Sequence, residues 1–295
     1  MNKSNDIVVL GHTGFVGGNI YQRFLEDATC RVQGFSSKDI NLLDEKSWQI
    51  LAGAYNRDTA IIMVAADNRV RNNNVEVLSN NIRMVLGLSA ALEKARCGHV
   101  ILLSSIAVYG RTGKEPIIEQ SPVNPDNFYA VAEVCREKIV KKVCEVLNIP
   151  LTILRLGKIY GKGDRKSPIF IFVRNIVNGN PIEIYGDGSH NLYCIHEDDV
   201  FKVVRLIIVE SRFGNFNLAP DRGISLLDLA EMTMSSGNKR VPVIFRPSVE
   251  VPIDLVFDSS KFKACFKEIV LTELVHGIKG YFNAVKGGSD GQQKT

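Results

Sequence analysis

The 295-residue sequence lacks any long hydrophobic run, and it carries little excess of one charge sign. It has no stretch of about 18 consecutive apolar residues, the length that a membrane-spanning helix needs. The first residues, Met1 to Asp6, are polar and show no signal-peptide core. Lys and Arg number 36 against 32 Asp and Glu, giving a net charge of +4 that is scattered along the chain. We therefore expect no membrane association and no nucleic-acid partner.

Paired cysteines and metal-ligand motifs are missing as well. The five histidines show no H-E-x-x-H or other ligand spacing, so no metal site is predicted. The sequence has no nucleophile elbow, because its one G-x-S-x-G match, Gly287 to Gly291, lies in the C-terminal tail, and it has no G-x-x-x-x-G-K-[ST] phosphate loop. The cysteines lie far apart without a C-x-x-C pair, which predicts reduced thiols in a cytoplasmic protein. They are Cys30, Cys97, Cys135, Cys144, Cys194 and Cys265.

The sequence does have the composition of a globular protein, with 45% hydrophobic and 23% charged residues. Its length fits about two domains, or one large doubly wound domain with an appendage. Short apolar runs alternate with longer helical patterns through the first half, which is typical of βαβ units. We predict an α/β fold, in which a Rossmann-type doubly wound parallel sheet is followed by a smaller C-terminal α/β domain.

A glycine-rich turn joins the first apolar run, Ile7 to Leu10, to an amphipathic helical pattern. The spacing is G-x-x-G-x-x-G: the first glycine permits a tight turn, the second lets backbone approach a pyrophosphate, and the third allows close helix packing. The helix N-terminus then faces the phosphates. We predict that this turn binds a dinucleotide, the alternative being a βα turn without a ligand. The residues concerned are Gly11, Thr13, Gly14, Phe15, Val16 and Gly17.

The second strand run ends without the acidic residue that accepts hydrogen bonds from the ribose 2′-hydroxyl of NAD. It ends in Ser36, Ser37 and Lys38, which offer two hydroxyls and a cation. Because these groups suit a 2′-phosphate, NADP is predicted in preference to NAD. The alternative is a solvated turn.

The order of the motifs resembles the extended short-chain dehydrogenase/reductase family, in particular its nucleotide-sugar epimerases, dehydratases and ketoreductases. The resemblance extends from about Asp6 to Lys286. The segment Asp39 to Asp44 (DINLLD) is also similar to the adenine-side segment of GDP-fucose synthases. Besides the glycine turn, the segments that carry the family resemblance are Ala65-Ala66, Asn80-Asn81, Ser104 to Gly110 (SSIAVYG), Tyr129, Arg155 to Gly161 (RLGKIYG), Gly186 to Gly188, Ile195 to Val200 (IHEDDV) and Phe216 to Ala219.

The resemblance implies hydride transfer between a nicotinamide and a carbon of a nucleotide-linked sugar. By motif position Tyr129 would be the acid/base, and Ser105 would hydrogen-bond both the phenol and the sugar oxygen. A tyrosine with an ordinary pKa of about 10 needs a nearby cation to act as a base at neutral pH. Further cofactor contacts are expected at Asn41 and Leu42 beside the adenine and at Ala65, Ala66 and Tyr129, and substrate contacts at Ser105, Lys158 and Arg165.

The predicted domain boundary follows Tyr160, where the alternation gives way to frequent glycine and proline. Residues 1–160 would form the dinucleotide-binding Rossmann domain, and residues 161–286 the substrate-binding domain. A helical pattern near 198–210 would return to the first sheet. The tail from Gly287 to Thr295 has the composition of a disordered segment.

The sequence departs from the family four residues after Tyr129, where Glu133 takes the place of the family's lysine. A carboxylate at i+4 lies on the tyrosine's helix face and raises the phenol's pKa. Arg136 or Lys158 would supply the positive charge that the family's lysine gives to the tyrosine. The alternative is that Arg136 is a surface residue and Lys158 a surface or substrate-loop residue. A second departure is Leu192, in a stretch where many relatives carry an arginine that binds the diphosphate.

Two functions follow from these features. The first is an NAD(P)-dependent nucleotide-sugar epimerase, dehydratase or 4-ketoreductase, and the second is a catalytically degenerate NAD(P)-binding sensor or partner protein. The resemblance also implies a homodimer that pairs the helices near 77–95 and 129–147. Apolar residues of the second helix would supply the interface, although burial within the monomer would also explain them: Val134, Ile139, Val140 and Val143.

Overall fold

The computed structural model describes residues 6–67, 74–111, 116–248 and 255–287. The central sheet is built from β1 (Asp6–Leu10), β2 (Arg31–Phe35), β3 (Thr59–Met63), β4 (His99–Ser105), β5 (Leu151–Leu156) and β10 (Gly214–Leu218). Shorter strands are β6 (Lys158–Tyr160), β7 (Ile182–Tyr185), β8 (Asn191–Leu192), β9 (Cys194–His196), β11 (Ile224–Ser225) and β12 (Val243–Arg246). The helices are α1 (Phe15–Leu25), α2 (Glu45–Gly53), α3 (Val75–Lys94), α4 (Phe128–Leu147), α5 (Pro168–Asn178), α6 (Glu197–Glu210), α7 (Leu226–Gly237), α8 (Ser260–Cys265) and α9 (Leu274–Gly287).

The central sheet has the order β10-β5-β4-β3-β1-β2, and every neighbouring pair is parallel. All five residues of β3 are buried, as expected for a central strand that helices cover on both faces. One face packs against α1 and α6 through residues such as Phe24 and Val204. The other face packs against α2, α3 and α4 through residues such as Leu51 and Leu88. The predicted α/β class with a doubly wound parallel sheet is confirmed.

Two elements that follow residue 160 belong to the layers of this sheet. α6 packs against α1, and β10 extends the sheet beyond β5. A third core joins α5, α7 and α9 to β7, with Phe172 and Met234 among its buried residues. The division into two domains at residue 160 stays a prediction, and the predicted disordered tail lies, after Gly287, outside the described residues.

One of the four apolar residues predicted for a dimer interface, Val140, belongs to the core of the monomer. Val140 is buried with β4 and β5 residues, and Ile139 and Val143 pack at the edge of the same cluster. This is because α4 lies directly on the sheet beside α3. The exposed large apolar side chains of these two helices are others, Val75, Leu86, Phe128 and Val146.

Two further findings concern the whole described chain. None of the helices in residues 6–67, 74–111, 116–248 and 255–287 is both long and apolar enough to cross a membrane. All six cysteines are free thiols.

Candidate active site

The glycine turn lies at the carboxyl edge of the sheet, where the chain leaves β1 toward β2 and later returns to β3 on the other side of β1. Such a switch point is where open α/β sheets bind their ligands. Gly11 has a φ of +95°, and a Cβ there would lie 2.8 Å from the Ala65 backbone nitrogen. At Gly17 a Cβ would lie 2.2 Å from the Gly11 carbonyl oxygen. Both glycines are therefore required by the fold itself.

The middle glycine has a different environment. Gly14 is exposed, and a Cβ on it would meet its nearest protein atom, the Gly11 carbonyl oxygen, at 3.4 Å. It is the N-cap of α1, and no side chain in the described part of the chain caps that end. Thr13 is exposed beside it, while Phe15 and Val16 are half-buried. The first N–H groups of α1 are thus free for an anionic ligand.

A carboxylate, that of Asp39, lies close to the end of β2, although the strand itself ends without an acidic residue. Asp39 Oδ2 accepts hydrogen bonds from the Ser36 backbone nitrogen at 2.9 Å and from the Ser36 hydroxyl at 2.7 Å. These bonds hold the pKa of Asp39 below its usual range. Ser37 and Lys38 are exposed. Ser36 is therefore already paired with an anion, which leaves Ser37 and Lys38 as the open groups of this turn.

The residues expected beside an adenine differ in exposure. Asn41 is exposed, and its side chain accepts from the Leu43 backbone nitrogen at 3.1 Å. Leu42 is a core residue, 6% exposed and packed in the cluster under β1 and β3. Ala65 and Ala66 are half-buried just beyond β3. The placement of Asn41 and Leu42 beside an adenine stays a prediction.

Tyr129 and Ser105 meet at the same edge of the sheet. Ser105 ends β4, and Tyr129 lies in the first turn of α4, whose N-cap Asn127 accepts from the Ala130 backbone nitrogen at 2.9 Å. The two hydroxyl groups are hydrogen-bonded to each other. The structure thus brings together the serine and the tyrosine that the sequence motifs separate by 24 positions.

Glu133 and Arg136 form a buried ion pair one turn below Tyr129. Arg136 Nη1 donates to Glu133 Oε1 at 2.5 Å, and both side chains are 1% exposed. Arg136 Nη2 donates to the Ala65 carbonyl oxygen at 3.1 Å. The interpretation of Arg136 as a surface residue is therefore wrong, because this face of α4 lies against the end of β3. The guanidinium neutralises the charge of Glu133, and its hydrogen bond to Ala65 links α4 to the segment that follows β3.

Burial and charge around this pair set the acidity of the phenol. Removal from water raises the pKa of Tyr129 above its usual range, and the Glu133 carboxylate raises it further. The Ser105 hydrogen bond and the Arg136 charge act in the opposite direction and are outweighed. Burial also raises the pKa of Glu133. Tyr129 is consequently protonated across the neutral range.

Two atoms of the pair retain unused hydrogen-bonding capacity. Glu133 Oε2 and Arg136 Nε are buried, with no partner among the described residues. Such buried polar atoms cost about 1 to 3 kcal/mol each when they have no partner. A water molecule or a polar group of a ligand is the kind of partner they require.

A second buried ion pair holds α4 one turn further along the same helix face. Arg155 of β5 binds Glu137 with contacts of 2.6 to 3.2 Å, and Ser104 donates to Glu137 Oε1 at 2.6 Å. Arg155 Nη1 also donates to the Tyr109 hydroxyl at 2.8 Å, and that hydroxyl donates to Asn217 Oδ1 at 2.7 Å. This network joins α4 to β4, β5 and β10, and it fixes the helix on which Tyr129 lies.

Two of the predicted substrate residues lie on β6 and in the loop that follows it. Lys158 is exposed on β6. Arg165 is exposed, donates to the carbonyl oxygens of Lys162 and Asp164, and lies 5.4 Å from the centre of the Phe170 ring. Its loop reaches the glycine turn, because a Cβ on Gly163 would lie 2.9 Å from the ring of Phe15.

Two residues of the following segment have structural positions. His196 caps α6, since its Nδ1 accepts from the Asp198 backbone nitrogen at 3.3 Å. Leu192 lies half-buried on β8, which pairs with β11. In the described ranges, no group of three or more His, Cys, Asp or Glu side chains is arranged to hold a metal ion.

Comparison with known proteins places this geometry in a family. The model of the NAD dependent epimerase/dehydratase family matches residues 7–219. The chain belongs to this family. The resemblance to extended short-chain dehydrogenases/reductases is thereby confirmed.

One relative of this family member is the dTDP-4-dehydro-6-deoxy-D-allose reductase of a Streptomyces species. It is 25% identical over 191 residues, which cover 60% of this chain and 59% of the relative. The match therefore spans about three-fifths of the relative's length.

Two solved structures have the same fold as this family member. The UDP-glucose 4-epimerase of Thermus thermophilus, in complex with NAD, has a TM-score of 0.84 at 19% identity and covers 96% of this chain and 99% of that chain. The protein RMD of Pseudomonas aeruginosa, complexed with NADPH, has a TM-score of 0.84 at 17% identity with the same coverages. At these identities the likeness concerns the fold.

Three features of the site were not predicted from the sequence. Asp39 is four residues beyond β2 and was assigned to the adenine-side segment only. The burial of Arg136 was not recognised, although its i+3 spacing from Glu133 is a signal for a helical ion pair. His12 packs against β2, where a Cβ on Gly34 would lie 2.5 Å from its ring, and no sequence pattern indicated this contact.

Proposed function

We propose that this chain is an NADP-dependent enzyme that transfers hydride at a carbon of a nucleotide-linked sugar, with Tyr129 as the proton-transferring group. The observation that carries the proposal is the hydrogen-bonded pair of Tyr129 and Ser105 at the carboxyl edge of the sheet, the edge that also carries the glycine turn. Family membership and the reductase and epimerase relatives support it.

The residues at this edge fit a dinucleotide. Gly14 and Thr13 are exposed at the uncapped start of α1, where backbone N–H groups would bind the pyrophosphate. Ala65 and Ala66 would border the nicotinamide half. When bound, the nicotinamide supplies or accepts the hydride. Ser105 would orient the sugar oxygen, and Tyr129 would hold or release the proton at that oxygen.

The preference for NADP rests on Lys38 and Ser37. Both are exposed at the end of β2, where an ammonium and a hydroxyl would bind the 2′-phosphate. Asp39 opposes this preference, because its carboxylate already binds Ser36 and carries the same sign as the phosphate. The relatives' structures hold NAD in one case and NADPH in another, so both cofactors occur on this fold.

The nucleotide sugar would lie between the glycine turn and the loop that carries Arg165. Lys158 and Arg165 are two exposed cations proposed to contact its phosphates. The stretch from His190 to Cys194, which includes Leu192, has no arginine for this role. A homodimer through α3 and α4 is also proposed, with the exposed side chains of Leu86 and Val146 at its interface.

The test measures turnover by the purified protein with NADPH or NADH and a panel of 4-keto nucleotide sugars. The nicotinamide absorbance reports the oxidation of the cofactor. We expect oxidation of the cofactor with at least one sugar, and a loss of about 10²- to 10⁴-fold in Tyr129→Phe. Tight cofactor binding without turnover on the whole panel, and without epimerisation or dehydration of nucleotide sugars, contradicts the proposal. That result would favour the second candidate, a dinucleotide-binding sensor. The observation behind this candidate is Glu133, which stands at the position of the family's lysine.

A further inference from the structure

The direction of hydride transfer decides which protonation state Tyr129 must have. A phenol donates its proton to a carbonyl oxygen that is being reduced, whereas a phenolate is needed to accept the proton of a hydroxyl that is being oxidised. Epimerases and dehydratases begin with oxidation, so they depend on the phenolate. A reductase depends on the neutral phenol alone.

The groups around Tyr129 all bear on this choice. α4 contributes the Glu133 carboxylate and the Arg136 guanidinium, and β4 contributes the uncharged Ser105 hydroxyl. The positive charge of Arg136 is neutralised at short range, since its Nη1 lies 2.5 Å from Glu133 Oε1 and its Nη2 binds the Ala65 carbonyl oxygen. Glu133 retains an unpartnered buried oxygen, Oε2. A phenolate at Tyr129 would therefore have a buried carboxylate as its neighbour and no uncompensated cation in these groups.

We propose that Tyr129 acts as a proton donor, so that the chain reduces a carbonyl carbon of its substrate and is not an epimerase or a dehydratase. This inference rests on the proposed function. In the reaction the substrate's carbonyl carbon receives the hydride of the reduced nicotinamide, and the carbonyl π electrons form the new O–H bond with the proton of Tyr129. A proton from the solvent replaces the one that Tyr129 gives up, so one H⁺ is consumed per turnover and the phenolate does not accumulate. The product is a sugar hydroxyl and the oxidised cofactor.

The pH dependence of the two directions follows from the geometry. Burial and Glu133 raise the pKa of Tyr129, so the phenol is populated throughout the neutral range. Reduction should then be independent of pH between about pH 6 and about pH 9. The reverse oxidation needs the scarce phenolate, and its rate should rise about tenfold per pH unit over the same range.

The first experiment measures Tyr129 itself in the free protein. The chain has 8 tyrosines; labelling their ring Cζ with ¹³C and comparing with Tyr129→Phe assigns the Tyr129 resonance, whose shift reports ionisation. We expect no ionisation up to about pH 10, and a midpoint at least about one unit lower in Glu133→Gln than in the parent. Glu145→Gln, which removes the same charge from an exposed position of α4, should leave the midpoint unchanged.

A double variant keeps this test informative if Glu133→Gln folds poorly because Arg136 loses its partner. Glu133→Met with Arg136→Met removes both charges, and the midpoint should still fall because Glu133 lies one helical turn from Tyr129 and Arg136 lies two turns away. Ionisation of the parent Tyr129 below about pH 9, or equal midpoints in parent and variants, would overturn the inference.

The second experiment separates this inference from the proposed function. The parent is incubated with NADP and a panel of nucleotide sugars, and the products are analysed for inverted or dehydrated sugars. We expect neither, together with reduction of a 4-keto sugar by NADPH at a constant rate across the neutral range. Epimerisation or dehydration would overturn the inference while leaving the proposed function standing. Absence of all turnover would count against the proposed function, and the resonance of Tyr129 would still decide the inference.

Discussion

Removal of the Arg136 side chain is the sharpest test of the buried ion pair. Arg136→Met keeps much of the side-chain volume and leaves the Glu133 carboxylate, 1% exposed, without its guanidinium. Breaking a buried pair in this way costs about 3 to 5 kcal/mol of folding free energy. The lost hydrogen bond to the Ala65 carbonyl oxygen adds about 1 kcal/mol. The expected total is about 4 to 6 kcal/mol.

The assay is urea unfolding followed by tryptophan fluorescence and circular dichroism. With a slope of about 3 kcal/mol per M, the midpoint should fall by about 1.3 to 2 M. The matched control is Glu133→Met with Arg136→Met, which removes both charges and should unfold within about 2 kcal/mol of the parent. Recovery in the double variant would identify the unpaired carboxylate as the cause of the loss.

The pH dependence of the single variant supplies an independent check. Burial raises the pKa of Glu133 in the folded state, and Arg136→Met removes the guanidinium that opposes this rise most strongly. A group with a raised folded pKa contributes stability that is present below its unfolded pKa of about 4.3 and is lost as the pH rises through the folded pKa. Arg136→Met should therefore regain stability relative to the parent as the pH falls from about 8 to about 5. A loss below about 1 kcal/mol, or a loss that is the same at both pH values, would refute the reasoning.

Three further predictions address the cofactor and the assembly. Gly14→Val should lower dinucleotide affinity at least about tenfold in calorimetry, because the side chain blocks the approach of the pyrophosphate to the backbone. The control Gly53→Val, in open space at the end of α2, should leave the affinity unchanged. Equal affinities of the two variants would contradict the placement of the ligand. In titrations, Asp39→Ala should strengthen NADP binding relative to NAD, and Lys38→Ala should weaken it. Tighter binding of NAD by the parent would show that the preference is wrong. Leu86→Asp should convert the proposed dimer into a monomer in light scattering, and a monomeric parent would remove the proposal.

The sequence alone determined the architecture, because its information was local. Strand and helix periodicity predicted the parallel sheet, and the spacing of the three glycines predicted the turn that opens α1. Motif positions also named Ser105 and Tyr129, which the fold brings into hydrogen-bond contact. The sequence also determined that Glu133 lies on the helix face of Tyr129, because the i+4 relation follows from helix geometry.

The tertiary structure decided the properties that depend on what lies across the fold. The i+3 spacing of Glu133 and Arg136 is compatible with a solvated surface pair, and only the contact of Arg136 with the Ala65 carbonyl oxygen of another element shows that it is buried. In the same way, Val140 belongs to the monomer core because α4 lies on the sheet. Burial removes solvent screening, so the pKa values of Tyr129 and Glu133 are raised in a way that no sequence spacing can supply.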